Sequence, residues 1–114
     1  MEKDELLAGM IQELRRGSLT LCVLSQLRCP AYGYQLITLL NQNGIPVEAN
    51  TLYPLLRRLE NQGLLQSFWD TQESKPRKYY SVTATGQEIY DTLRRYWIES
   101  AQAITRLLSP DPTQ

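Results

Sequence analysis

The side chains with the most scope for chemistry are two short clusters of basic residues in the middle of the chain. Arg57 and Arg58 form the first, and Lys75–Lys78 holds three more cations, so five of the twelve lysines and arginines fall in these two places. Only three acidic residues lie between residues 50 and 80, namely Glu60, Asp70 and Glu73. Guanidinium and ammonium groups bind phosphates and carboxylates. A formal net charge of zero can therefore conceal one basic face that binds an anionic partner.

The residue inventory argues against catalysis. The chain has no histidine, which is the commonest general base and the commonest metal ligand. Cys22 and Cys29 cannot hold zinc without further thiols or imidazoles, and we expect both to be small buried apolar residues on one helix face. Glycine-rich phosphate loops, nucleophile elbows and clustered carboxylate pairs are also missing. We therefore expect no metal site, no cofactor and no enzymatic activity.

Length and composition indicate one domain. With 114 residues, of which 42% are hydrophobic, the chain should bury a core. No run reaches the roughly 18 uncharged apolar residues of a membrane span. The first five residues, Met1–Glu5, are acidic where a signal peptide would be basic. These observations predict a cytoplasmic protein with no membrane partner.

The first half of the chain has the hydrophobic period of α-helices. A helix is predicted over residues 4–16, where Gly17-Ser18 should interrupt it and Ser18 should cap a second helix. That second helix is apolar all round, so we expect it at the centre of the core, with Pro30 ending it. A third helix should span about residues 33–43, and a fourth should run from about residue 50 to Gly63. The fourth helix would bury Leu52, Leu55, Leu56 and Leu59.

From Leu65 onward the period changes to the alternation of β-strands. Residues 65–70 and 78–83 should form a hairpin around a polar tip, with Tyr79 and Tyr80 on opposite faces. The stretch Thr85–Glu88 fits a capping box, and it should open a last helix of about 22 residues that ends near Leu108.

Three short helices followed by a hairpin are the order of a winged helix-turn-helix. The sequence thus predicts a mainly α fold with a small β-hairpin: a winged helix-turn-helix plus a long C-terminal dimerisation helix, in one compact domain overall. We assign DNA binding to residues 1–83, with the wing at about 65–82. Dimerisation is assigned to residues 84–108 and a flexible tail to residues 109–114.

Several motifs resemble those of the PadR-like transcriptional regulators. They are Gly33-Tyr34, Thr51–Glu60, Gly63-Leu64-Leu65, and Arg77-Lys78-Tyr79-Tyr80 followed by Thr83 and Gly86. The resemblance covers about residues 18–108 and implies a DNA-binding regulator. The single C-terminal helix is similar to the smaller branch of the family, some of whose members bind flat aromatic compounds at the dimer centre. Tyr32 departs from the pattern, since many members have a histidine there. We expect this difference to affect core or dimer packing and not DNA binding.

The polar face of the fourth helix has the composition of a DNA-reading surface. Asparagine and arginine pair with base edges in the major groove, hydroxyl groups suit phosphate oxygens, and wing cations suit the minor groove or flanking phosphates. The predicted DNA-binding residues are Asn50, Thr51, Tyr53, Pro54, Arg57, Arg58, Lys75, Arg77 and Lys78. The alternatives are an ordinary solvated helix face and a soluble turn.

The last helix is too long for a small winged core to cover, so it needs a partner. A two-fold dimer is the simplest cover, and it would present two reading helices to a palindromic site. The predicted dimer or effector interface comprises Met10, Leu14, Leu93, Tyr96, Trp97, Ile104 and Leu108. Trp97 has two alternative roles. It would anchor the dimer as a large interface aromatic, or, as the resemblance implies, it would stack on a planar ligand across the two-fold axis.

Together these features predict a homodimeric repressor that binds double-stranded DNA at an inverted repeat, with a small aromatic effector as a possible partner. The alternative is a winged-helix protein-interaction module without an operator, which the zero net charge leaves open. A sequence preference in DNA binding would distinguish the two.

Overall fold

Four helices and three strands follow one another in the computed structural model, which describes residues 2–110. In chain order they are α1 (Lys3–Gln26), β1 (Ala31–Tyr32), α2 (Gly33–Gln42), α3 (Ala49–Asn61), β2 (Leu65–Asp70), β3 (Arg77–Val82) and α4 (Ala84–Leu107). The predicted fold class is confirmed, since a mainly helical chain carries a small antiparallel sheet that contains the hairpin. Residues 111–114 of the predicted tail lie outside the described residues.

The prediction of two separate helices before residue 30 is wrong, because α1 runs without a break through Gly17 and Ser18. Ser18 does not act as a cap: its hydroxyl donates to the carbonyl of Arg15 at 3.2 Å, one turn back in the same helix. A glycine inside a helix costs only about 1 kcal/mol relative to alanine, so it need not end one. The helix instead ends at Gln26, four residues before Pro30.

The core lies where the second half of α1 meets α2, α3 and the sheet. Val23, Leu24 and Leu27 are fully buried, so the end of α1 does occupy the centre, as predicted. Cys22 is half-buried there, and burial raises the pKa of its thiol. The prediction of a buried Cys29 is wrong: this residue follows the end of the helix and is exposed.

The sheet contains a strand that the sequence did not reveal. Its order is β1-β3-β2, with antiparallel pairing throughout. The added strand β1 pairs Ala31 with Tyr80 and Tyr32 with Tyr79, and two residues are too short to show a period. In the hairpin, Tyr80 is buried and Tyr79 is half-buried, which confirms that they occupy opposite faces.

The N-cap of α4 lies two residues before the predicted one, Thr85. The N-cap is Thr83, whose hydroxyl oxygen accepts from the N–H of Gly86 at 3.0 Å and donates to the carbonyl of Gly63 at 2.6 Å. Thr85 already lies inside the helix, so its predicted cap role is wrong. Gly86 is required for packing, because a Cβ at this position would collide with the carbonyl of Leu64.

The two threonines provide a matched test of this junction. We expect Thr83→Ala to lower the free energy of unfolding by about 1 kcal/mol, because it removes an N-cap and the bond to Gly63. Thr85→Ala, on an exposed helix position, should change it by less than about 0.5 kcal/mol. Urea denaturation at one protein concentration measures both, and equal losses would contradict the assigned cap.

Candidate nucleic-acid interface

Helix α3 divides cleanly into a core face and an outer face. Its four leucines are all buried: Leu52, Leu55, Leu56 and Leu59. The six predicted DNA-binding residues of this helix are all exposed: Asn50, Thr51, Tyr53, Pro54, Arg57 and Arg58. The preceding turn is fixed by the side chain of Asn41, which accepts from the N–H of Val47 at 2.9 Å. The burial of one face thus presents the other to solvent.

Tyr53 also links α3 to α2. Its ring and hydroxyl lie against Gly33, the first residue of α2, and a Cβ at Gly33 would overlap with them. Gly33 is buried beneath the ring, whereas Tyr53 remains 36% exposed. The side chain therefore has a packing role between the two helices in addition to its predicted role toward DNA.

The three basic residues of the wing have different surroundings. Lys75 is exposed at the hairpin tip. The guanidinium of Arg77 lies over the ring of Tyr32, 4.6 Å from its centroid. The ammonium of Lys78 lies 3.7 Å from a carboxylate oxygen of Glu60, near the end of α3, and 5.3 Å from the ring centroid of Tyr80.

Glu60 joins α3 to both strands of the wing. Besides its ion pair with Lys78 on β3, its carboxylate accepts a hydrogen bond from the hydroxyl of Ser67 on β2. Both partners of the ion pair are about one third exposed, so its contribution to stability is small. Its geometric consequence is larger, because it orients the hairpin against α3.

The helix and the wing meet in an open cleft of about 390 Å³, which we call the basic cleft. Its lining combines cations and aromatic rings: Tyr32, Gly33, Tyr53, Arg57, Trp69, Pro76, Arg77, Lys78 and Tyr80. The structure thus brings together four of the predicted DNA-binding residues, two from α3 and two from the wing. The other five lie outside this cleft: Asn50, Thr51, Pro54, Arg58 and Lys75.

Sequence reasoning missed the part that Tyr32 and Trp69 play in this cleft. Tyr32 stood out only as a departure from a family pattern, and Trp69 only as one aromatic in an alternating strand. Trp69 is 62% exposed, and β2 pairs it with Lys78. The register of the predicted hairpin could have indicated this role of Trp69, because it places Trp69 opposite Lys78.

A separate groove of about 760 Å³ runs between α1 and the turn that precedes α3. Its walls include Ile11 and Leu19 from α1, and Ile45 and Pro46 from the turn. Thr51 lies in this groove and not in the basic cleft.

The two long helices carry the exposed apolar residues predicted for an interface. All seven are exposed: Met10, Leu14, Leu93, Tyr96, Trp97, Ile104 and Leu108. Leu14 is 80% exposed and Trp97 is 52% exposed, which is unusual for side chains of this size and hydrophobicity.

The chemistry available is the binding of anions beside aromatic surfaces. Guanidinium groups donate in a planar fork that matches phosphate oxygens. Within residues 2–110, no three histidine, cysteine, aspartate or glutamate side chains lie close enough to hold a metal ion. None of the helices in this part of the chain is long and apolar enough to cross a membrane.

A helix-turn-helix beside a basic hairpin defines the winged-helix class, a variant of a motif that DNA-binding proteins use. Residues 20–92 match the model of the transcriptional regulator PadR-like family, and the chain belongs to this family. The resemblance in the sequence motifs is thereby confirmed. The protein is a transcriptional regulator of this family and not an enzyme.

Solved structures support the same assignment. The chain is 51% identical to a PadR family transcriptional regulator from Eggerthella lenta, with a TM-score of 0.86 over 95% of this chain and 96% of that one. A PadR-like transcription factor from Bacteroides fragilis is 34% identical, with a TM-score of 0.70 over 87% of this chain and 98% of that one. A PadR-like regulator from Bacillus cereus is 28% identical, with a TM-score of 0.80 over 87% and 99% of the two chains.

The contact between Tyr53 and Gly33 can be tested by a double-mutant cycle. Gly33→Ala should displace the tyrosine ring, so its effect on DNA affinity should largely disappear in a Tyr53→Ala background. Gly17→Ala is the matched control, because a Cβ there meets no atom within 4 Å. It should leave DNA affinity unchanged and raise the free energy of unfolding by about 0.5–1 kcal/mol. Additive effects of the Gly33 and Tyr53 variants would contradict the coupling.

Proposed function

We propose that the protein is a homodimeric repressor that binds an inverted-repeat operator in double-stranded DNA. In this proposal α3 enters the major groove while the wing contacts flanking phosphates or the minor groove. The observation that carries the proposal is the basic cleft, in which Arg57 of the reading helix and Arg77 of the wing face one common space.

The outer face of α3 has a division of labour in this proposal. Asn50, in the first turn, pairs with an adenine edge, and Arg58 is available to a guanine edge or a phosphate. Thr51, Tyr53 and Pro54 position the helix against the backbone. Lys75, Arg77 and Lys78 supply sequence-independent attraction, and Lys78 must leave Glu60 to bind a phosphate directly.

Dimerisation is supported by the exposed apolar residues of α1 and α4. These side chains are hydrophobic and exposed, and in this proposal a second copy covers them with the same residues under two-fold symmetry. The proposed interface comprises Met10, Leu14, Leu93, Tyr96, Trp97, Ile104 and Leu108.

A coupling route from the dimer to the wing starts at Thr83. This residue caps α4 and at the same time bonds the turn between α3 and β2, so a shift of α4 moves the base of the wing. An effector at the dimer centre would act by favouring one spacing of the two reading helices. A planar aromatic compound stacked on Trp97 fits this role, and Trp97 packed only against its partner copy is the alternative. Such a regulator acts beside the chromosome, in the cytoplasm.

The proposal is tested by fluorescence anisotropy with the upstream region of the protein's own gene and with scrambled DNA of equal length, each at two salt concentrations. We expect a preference of roughly a thousandfold or more for the upstream region, as in other specific regulators. Equal and weak binding to both would favour the second candidate, a protein-interaction module, which the formal net charge of zero supports.

Asn50→Ala should weaken binding to the operator by about 1–3 kcal/mol and leave binding to scrambled DNA nearly unchanged, because it removes a base contact. The control is Gln102→Ala, an exposed amide on α4. Titrations of both variants against both DNAs provide the measurement. A uniform loss on all sequences would show that Asn50 contacts phosphate instead.

Ile104→Glu should convert the dimer to a monomer, since it places a charge in the proposed apolar interface. Light scattering should then report 13.2 kDa in place of twice that mass. Gln102→Glu, two positions away on the opposite side of α4, should leave the dimer intact. A wild-type mass of one chain, or dissociation by both variants, would refute this interface.

A further inference from the structure

The basic cleft lies at one edge of the sheet, where the strand β1 is only two residues long. β1 pairs only with Tyr79 and Tyr80, so the edge of β3 is left open at Arg77 and Lys78. At this point the chain turns from β1 into α2, and the ring of Tyr32 faces the open edge. Arg57 enters the same space from α3. With Trp69 of β2, side chains from four elements thus surround a space open to solvent.

Arg77 is held within this space by a braced aromatic ring. Its guanidinium lies 4.6 Å from the centroid of Tyr32. Tyr32 in turn meets Tyr79 edge to face, and Tyr79 stacks on Phe68, both with ring centroids 5.5 Å apart. A stacked guanidinium keeps its N–H groups in the plane of the fork, where they remain able to donate to phosphate oxygens.

The acidic groups near the cleft leave the two arginines available. Asp70 is the register partner of Arg77, but the two side chains form no ion pair, and a carboxylate oxygen of Asp70 accepts from the backbone N–H of Gln72 at 3.1 Å. Glu60 pairs with Lys78 at 3.7 Å. The carboxylate of Glu60 thus competes with any phosphate for Lys78.

We propose that the basic cleft binds one phosphate of the DNA backbone between Arg57 and Arg77, and that Tyr32 is the positioning residue for Arg77. The inference rests on the proposed function, since DNA that lies along α3 brings its backbone past this cleft. It adds a phosphate subsite shared by helix and wing, in which Lys78, paired with Glu60, contributes less to phosphate binding than Arg77 does.

The salt dependence of DNA binding tests the subsite. Arg57→Ala and Arg77→Ala should each reduce the slope of log K against log salt by about 0.9 or less per protomer, because one phosphate contact is weakened or lost. Lys78→Ala should reduce the slope less than either. Arg95→Ala is the charge control, since it removes an exposed cation from α4, away from the cleft, and the slope should not change.

The positioning role of Tyr32 is tested by one variant that removes the aromatic ring and one that keeps it. Tyr32→Leu retains an apolar side chain against Tyr79 but lacks the ring, and it should weaken binding about two- to fivefold, the usual size of an exposed cation–π contact. Tyr32→Phe should bind as the wild type does. In an Arg77→Ala background, Tyr32→Leu should cause no further loss. Thermal unfolding of each variant confirms that the fold is retained.

A neutral methylphosphonate placed at successive positions of the DNA locates the phosphate. At one position it should weaken the wild type more than either single arginine variant, and it should leave the Arg57→Ala/Arg77→Ala double variant unaffected. An unchanged slope in both arginine variants, or a Tyr32→Leu loss that persists without Arg77, would overturn the inference while operator preference remains. Loss of operator preference with an intact arginine effect on the slope would instead overturn the proposed function alone.

Discussion

The burial of the α3 leucines in the core that α3 shares with α2, β2 and the end of α1 is the constraint on which the remaining structure depends. Leu52 and Leu56 are fully buried, as are Leu24 and Leu27, so these helices cannot rotate without exposing apolar surface. Burying a leucine stabilises a fold by about 1.5–3 kcal/mol, far more than any surface ion pair near the cleft. The outward direction of Asn50 and the residues that follow it is therefore a consequence of core packing.

The wing obtains its position from this same helix. Glu60 lies near the end of α3, and its carboxylate contacts Ser67 of β2 and Lys78 of β3. The turn after α3 is bonded to Thr83, which also begins α4. A hairpin is only marginally stable alone, so these polar contacts and the burial of Tyr80 determine where it sits. The basic cleft can form because helix and wing are fixed relative to each other.

Sequence reasoning succeeded where a hydrophobic period runs through several residues. The period predicted α2, α3 and the hairpin closely, and it separated Tyr79 from Tyr80. It failed where one interaction decides the outcome. Gly17-Ser18 does not stop α1, because Ser18 bonds within the helix, and β1 is too short to show any pattern. Thr83 and not Thr85 is the N-cap of α4, and the hydrogen bond that fixes it is to Gly63, a residue distant in the chain.

The candidate site follows the same rule. Composition and helical spacing predicted its cations, because charge clusters can be found by counting along the chain. Its geometry depends on contacts between elements: Tyr32 of β1 supports Arg77 of β3, while Glu60 of α3 pairs with Lys78. Two adjacent wing cations therefore have different partners, an aromatic ring and a carboxylate. The ring of Tyr32 is neutral, so the positive charge of Arg77 is not cancelled, whereas the carboxylate of Glu60 offsets the charge of Lys78. Arg77 therefore attracts an anion at this position more strongly than Lys78 does.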